Sequence, residues 1–155
     1  TACAIENFNQ LIQASSKMKS GIKIDLNDEM NFLKNYINLQ KMRYSVPVDT
    51  EFPESVKMNL SIEPLIILPL IEHVFKHGDV SGEGYISIKL SIQNKKITIS
   101  VRNMTTRTNS ETSLRANLNL LNRRLAIIYP KKFELSKREY SDNFINTLNL
   151  TLDAK

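Results

Sequence analysis

The run Glu72-His73-Val74-Phe75-Lys76-His77-Gly78 gathers one carboxylate, two imidazoles and an ammonium into a single short stretch. On a helix, positions 69, 72, 73, 76 and 77 share one face, so these groups would stand together at a helix end that leads into a glycine turn. Lys76 and the imidazoles can meet a phosphate, and Glu72 or His73 can meet a magnesium ion or its water shell. The same spacing also fits a plainer arrangement, a polar helix face in which Glu72 pairs with Lys76 at i, i+4. Imidazole favours softer metals than Mg²⁺, so the cluster alone does not specify a nucleotide.

Several elements must position this cluster. Ala4, Ile5, Phe8, Leu11, Ile12 and Ser15 recur at helical spacing and predict a helix over 2–19, ended by Gly21. Its narrow stripe suits packing against another helix, such as one from a second copy. A second helix is expected from an N-cap at Asn27 to Arg43, with Met30, Leu33, Tyr36, Ile37 and Leu39 on its apolar face. Residues 48–60 read as a strand made irregular by Pro53, and 63–77 as an apolar helix that accepts Pro64 in its first turn. Pro69 lies deeper and must either kink that helix or delay its start. Strands follow at 85–92 and 97–101, joined through Asn94-Lys95 as a hairpin. The polar stretch 103–115 is expected to be a long lid-like loop, followed by a helix over 116–129 and a hairpin of strands at 132–138 and 143–152. Leu118, Leu121, Leu125 and Ile128 should face inward. The order predicts an α+β fold, a two-layer sandwich with helices on one face of a mixed sheet.

Composition narrows the function classes. One domain is expected from 155 residues, and no apolar run approaches the length of a membrane span. Cys3 is the only cysteine, so neither an internal disulfide nor a structural zinc site is expected, which fits reducing surroundings. The +5 charge is spread along the whole chain rather than focused, so a nucleic-acid partner is not expected. All four glycines fall before residue 85. The chain begins at Thr1 without a methionine and reads as part of a longer protein.

Three stretches, in order, resemble the LytS-like sensor histidine kinases. Residues 62–78 (Ile-Glu-Pro-Leu-Ile-Ile-Leu-Pro-Leu-Ile-Glu-His-Val-Phe-Lys-His-Gly) resemble the family's N-box, with Pro64, Leu65, Pro69, Leu70, Glu72, Lys76, His77 and Gly78 in register. Residues 26–43 resemble its LxxELxxLxxYLxIQxxRF helix, and 122–130 its NVxxRLxLLYP stretch. The resemblance implies the GHKL, or Bergerat, ATPase fold, with ATP and Mg²⁺ held between the N-box helix and a lid. It divides the chain into a helix from the dimerisation region at 1–21 and an ATP-binding domain at 22–155. It further implies a homodimer, a response-regulator partner, membrane anchoring upstream and a place on the cytoplasmic side of the inner membrane.

Carried over by position, the nucleotide-binding residues are Glu72, His73, Lys76, His77, Gly78, Asn103, Arg115 and Asn117. His73 stands where the family's Mg²⁺-holding Asn lies. Pro69 stands where hydrolytic relatives carry a Glu, so efficient hydrolysis is not expected. Asn103 takes the place of the acidic adenine-reading residue, and its carbonyl can still accept from an amino group. Arg115-Ala-Asn-Leu-Asn-Leu120 takes the place of a glycine-rich GIGLKN segment whose backbone approaches the phosphates, and Arg115 and Asn117 replace its glycines. Arg115 offers side-chain charge instead. The family's acceptor His sits on an earlier helix, so phosphate would go to a His outside this chain. The alternative is a pseudokinase that keeps the fold as a dimerisation or docking module.

Overall fold

The computed structural model describes residues 22–78, 84–104 and 111–154, with side chains from residue 118 onward in the last span. The expected helix over 2–19, the middle of the Gly78–Gly84 turn and lid residues 105–110 lie outside the described residues.

Helix α1 spans Leu26–Arg43 and is capped by Asp25, whose carboxylate accepts from the Asn27 N–H at 2.8 Å. The expected cap at Asn27 is thus corrected by two residues. Asn27 instead uses its amide on Val56, accepting from the Val56 N–H at 2.8 Å and donating to the Val56 carbonyl at 3.1 Å. Acidic Asp28 and Glu29 in the first turn and basic Lys41 and Arg43 in the last suit the helix dipole. Leu26, Met30, Leu33 and Ile37 form the buried stripe, and Glu29 is buried among them.

The irregular strand expected at 48–60 resolves into two. β2 (Val48–Glu51) and β3 (Leu60–Ile62) belong to different sheets. Pro53, lacking an N–H, breaks the ladder between them. β1 (Ile24–Asp25), β3 and β8 (Asp153–Ala154) form a small antiparallel sheet. β4 (Ile86–Gln93), β5 (Lys96–Met104), β6 (Phe133–Glu139) and β7 (Asn143–Thr151) join β2 in a five-stranded sheet of order β2-β4-β5-β7-β6. Only the β2–β4 pair in that sheet is parallel. Asn94 and Lys95 both take positive φ, 48° and 66°, as a two-residue primed turn requires.

Helix α2 spans Leu68–His77 with Pro69 in its first turn. Of the two outcomes expected for Pro69, the delayed start is the one found, because a proline ring is free of clash only there. Helix α3 spans Glu111–Ile128 and starts five residues before 116, inside the expected loop. Its first turns carry polar residues without an apolar period, yet contain no glycine or proline to stop a helix. Leu121 and Leu125 are buried and Leu118 and Ile128 partly so, as the spacing predicted.

The helices cover one face of the five-stranded sheet. Register aligns four rows on that face: Ile92, Ile97, Leu150, Phe133; then Leu90, Ile99, Leu148, Leu135; then Ile88, Val101, Asn146, Lys137; and last Ile86, Asn103, Phe144, Glu139. The first two rows are wholly apolar. The last two turn polar, directly beneath the C-terminal end of α2.

Candidate functional site

Gly78 joins α2 to this polar end of the sheet. Its φ of −78° is open to any residue, but a Cβ would stand 2.5 Å from the Val74 carbonyl oxygen and 2.6 Å from Asn103 Nδ2. Only glycine permits that approach.

Beside it lies His73, 1% exposed, with its ring 4.9 Å from His77 and 6.0 Å from Phe144. Burial, then the neighbouring His77 and Lys137, push its pKa down to about 4, so its imidazole is neutral. His77 is also shifted down, by burial and by Lys76. Asn103 is fully buried in the row below, and Asn146 is buried one row on. Both nitrogens of His73, both amide atoms of Asn103 and the Asn146 carbonyl oxygen have no hydrogen-bond partner among the described residues. Each such buried atom costs about 1–3 kcal/mol. Such a cluster is shaped for donors and acceptors that the protein itself does not supply.

In front of His73, a cleft of about 290 Å³ opens between α2 and α3, lined by Pro69, Glu72, His73, Lys76, Leu120, Leu121 and Arg124. Lys76 is exposed and stands 3.8 Å from Glu72, the i, i+4 pair foreseen from spacing. Arg124 adds a second cation from the facing helix. The cleft is mostly apolar, with Lys76 and Arg124 at its edge, paired with Glu72 and Glu63, and the neutral imidazole of His73 in its wall.

The structure thus gathers Glu72, His73, Lys76, His77, Gly78 and Asn103 at one end of α2. Arg115 and Asn117 belong to the backbone of α3, but their side chains lie outside the described residues. Sequence reading overlooked Asn146, although counting back by twos from buried Leu150 and Leu148 places it on the inner face. It also gave no role to Glu29, which falls on the buried stripe of α1.

A protein-held Mg²⁺ at His73 does not fit. Magnesium takes oxygen ligands, whereas His73 offers neutral nitrogens and Glu72 is the one carboxylate lining the cleft. No group of three His, Cys, Asp or Glu among the described residues is placed to hold a metal.

A second buried polar cluster lies at the other end of α2. The turn before the helix holds Leu65 at φ 57°, a strained value for a side chain of that size. Glu29 Oε2 accepts from the Leu65 N–H at 3.1 Å, and Tyr129 Oη accepts from the Glu63 N–H at 2.8 Å. Arg124 donates to the Pro64 and Leu65 carbonyls at 3.3 and 3.4 Å and lies 3.9 Å from the Glu63 carboxylate. Burial pushes the Glu29 carboxyl up to about 7, against the lowering effect of the Leu65 and Ile67 N–H groups and of Arg124.

Residues 1–47 match the family model described as "Histidine kinase". The sensor histidine kinase YpdA of Escherichia coli is 25% identical over 100 residues, covering 63% of this chain and 18% of the relative. The sensor protein kinase HptS of Staphylococcus aureus is 24% identical over 99 residues, covering 63% of this chain and 19% of the relative. The chain thus matches less than a fifth of the length of these relatives. Among solved structures, the nucleotide-free catalytic domain of the histidine kinase ThkA aligns with a TM-score of 0.60 at 10% identity, covering 84% of this chain and 94% of that one. The Acinetobacter baumannii histidine kinase AdeS aligns with a TM-score of 0.60 at 9% identity, covering 96% and 77%. These structures establish a common fold. No described helix is long and apolar enough to cross a membrane.

Proposed function

We propose that the chain carries a GHKL domain of the sensor histidine kinase type and binds ATP as the catalytic part of such a kinase. The observation that supports this most is the arrangement around α2, a buried neutral polar cluster of His73, Asn103 and Asn146 beside a cleft edged by Lys76 and Arg124. A purine base carries donors and acceptors on a flat neutral ring, and the triphosphate suits the cations. Asn103 would meet the base, and Lys76 and His77 the phosphates and sugar, with Glu72 and Gly78 shaping the helix end. Arg115 and Asn117 would stand on the lid side.

The γ-phosphoryl group would pass from ATP to an imidazole nitrogen of a His outside this chain, leaving ADP. His73 is too buried to be that acceptor. In the longer protein, a second copy, a response regulator and an upstream membrane anchor on the cytoplasmic face complete the proposal.

Calorimetric titration with ATP and ADP, each with and without Mg²⁺, tests it. Saturable micromolar binding is the expected result. Because the described residues form no metal site of their own, Mg²⁺ should act chiefly through the phosphates. No heat from folded protein up to millimolar nucleotide would instead leave a pseudokinase scaffold.

A further inference from the structure

Helix α2 carries the candidate site, yet its own start is poorly fixed. The residue at its N-cap is Ile67, which offers no side-chain hydrogen bond. Apart from His73, its buried residues Leu70, Ile71, Val74 and Phe75 are apolar, and apolar packing is non-directional. Such packing keeps the helix buried but specifies its rotation and axial position only loosely. Directional contacts come from outside the helix. Glu29, on α1, presents its carboxylate to the Leu65 N–H and towards the Ile67 N–H. A hydrogen-bond acceptor at a helix N-terminus is what a capping residue supplies. Here it arrives from another helix, while Tyr129 and Arg124 hold the rest of the turn.

We propose that Glu29 is a positioning residue that caps α2 from α1, fixing the strained Pro64–Leu65 turn and thereby the placement of His73 and Lys76 in the cleft. The consequence for nucleotide affinity rests on the function proposed above; the consequence for helix placement does not. Displacement of α1 would then reach the site through this one bond.

The chain has only two histidines, both on α2, so imidazole resonances in a ¹H–¹³C NMR spectrum report the placement of the helix directly. At pH 8, where both rings are neutral, Glu29→Leu should move the His73 and His77 resonances and weaken ATP binding at least tenfold. Glu29→Gln keeps an acceptor for Leu65 and should restore both to within about threefold. Ile37→Val, a core change on the same helix, should lower Tm and move neither. If Glu29→Leu lowers Tm while both imidazoles stay where they were, Glu29 is only a structural residue and the proposal is overturned. Should that variant not fold, Glu29→Met decides, since it keeps an unbranched side chain of similar length and removes the carboxylate acceptor. Shifted imidazoles then support the cap and unmoved ones refute it. If ATP binds to no variant, parent included, the nucleotide reading falls, while the imidazole shifts still decide the role of Glu29.

Discussion

Helix α2 lies between two buried polar clusters that meet their hydrogen bonds to very different degrees. At its start, the N–H and C=O groups of Glu63, Pro64 and Leu65 are met by Glu29, Arg124 and Tyr129, although Glu29 Oε1 itself has no partner among the described residues. At its end, His73, Asn103 and Asn146 bury donors and acceptors that nothing described in the protein meets. A polar group buried with its partner specifies structure, whereas one buried without a partner is maintained at a cost. The first cluster therefore reads as architecture and the second as a site.

The sharpest way to break this contrast is to remove a partner from the better satisfied cluster. Arg124→Ala strands the Pro64 and Leu65 carbonyls beside two carboxylates and should cost about 3–5 kcal/mol in urea unfolding. A loss below about 1 kcal/mol would mean that the turn is held without it.

Titration separates the clusters next. Glu29 is raised from 4.5 to about 7, so its contribution is fully present below pH 4.5 and is lost as pH rises to 7. His73 is lowered from 6.5 to about 4, so its contribution is present above pH 6.5 and is lost as pH falls to 4. Each is worth about 3 kcal/mol, and the two nearly cancel between these limits. Glu29→Gln should unmask a stability that climbs from pH 4 to 6.5, and His73→Gln one that declines from pH 4.5 to 7. Parallel pH profiles for both variants would refute the opposed shifts.

Gly78→Ala comes third. Its Cβ meets the Val74 carbonyl and the Asn103 amide, so about 2 kcal/mol should be lost in thermal melts, and α2 must shift to relieve the contact. A neutral substitution would show that the helix end yields freely.

The smallest effect carries the opposite sign. Asn103→Leu replaces two unpartnered atoms with a side chain of similar volume and should be neutral or stabilising by about 1 kcal/mol, while ATP binding is lost. Marked destabilisation would show that Asn103 is satisfied in solution and belongs with the architecture.

Much of this was written in the sequence alone. Period-two alternation set the β4 and β5 faces, and 3.6-residue spacing set α1 and the inner face of α3, because solvent on one side and core on the other impose those periods directly. The run from Glu72 to Gly78 placed its chemistry on one helix face for the same local reason. The start of α2 was legible only as a choice, since Pro69 forbids a straight helix through it without saying which escape is taken. Tertiary structure decided what depends on contacts between distant residues. It split residues 48–60 between two sheets, brought Asn103 and Asn146 onto neighbouring rows of one sheet face, and set Glu29 of α1 against a turn 36 residues away. No local period encodes such meetings. They follow from which side chains can be buried together once their hydrogen bonds have been met, and that is a property of the packed whole.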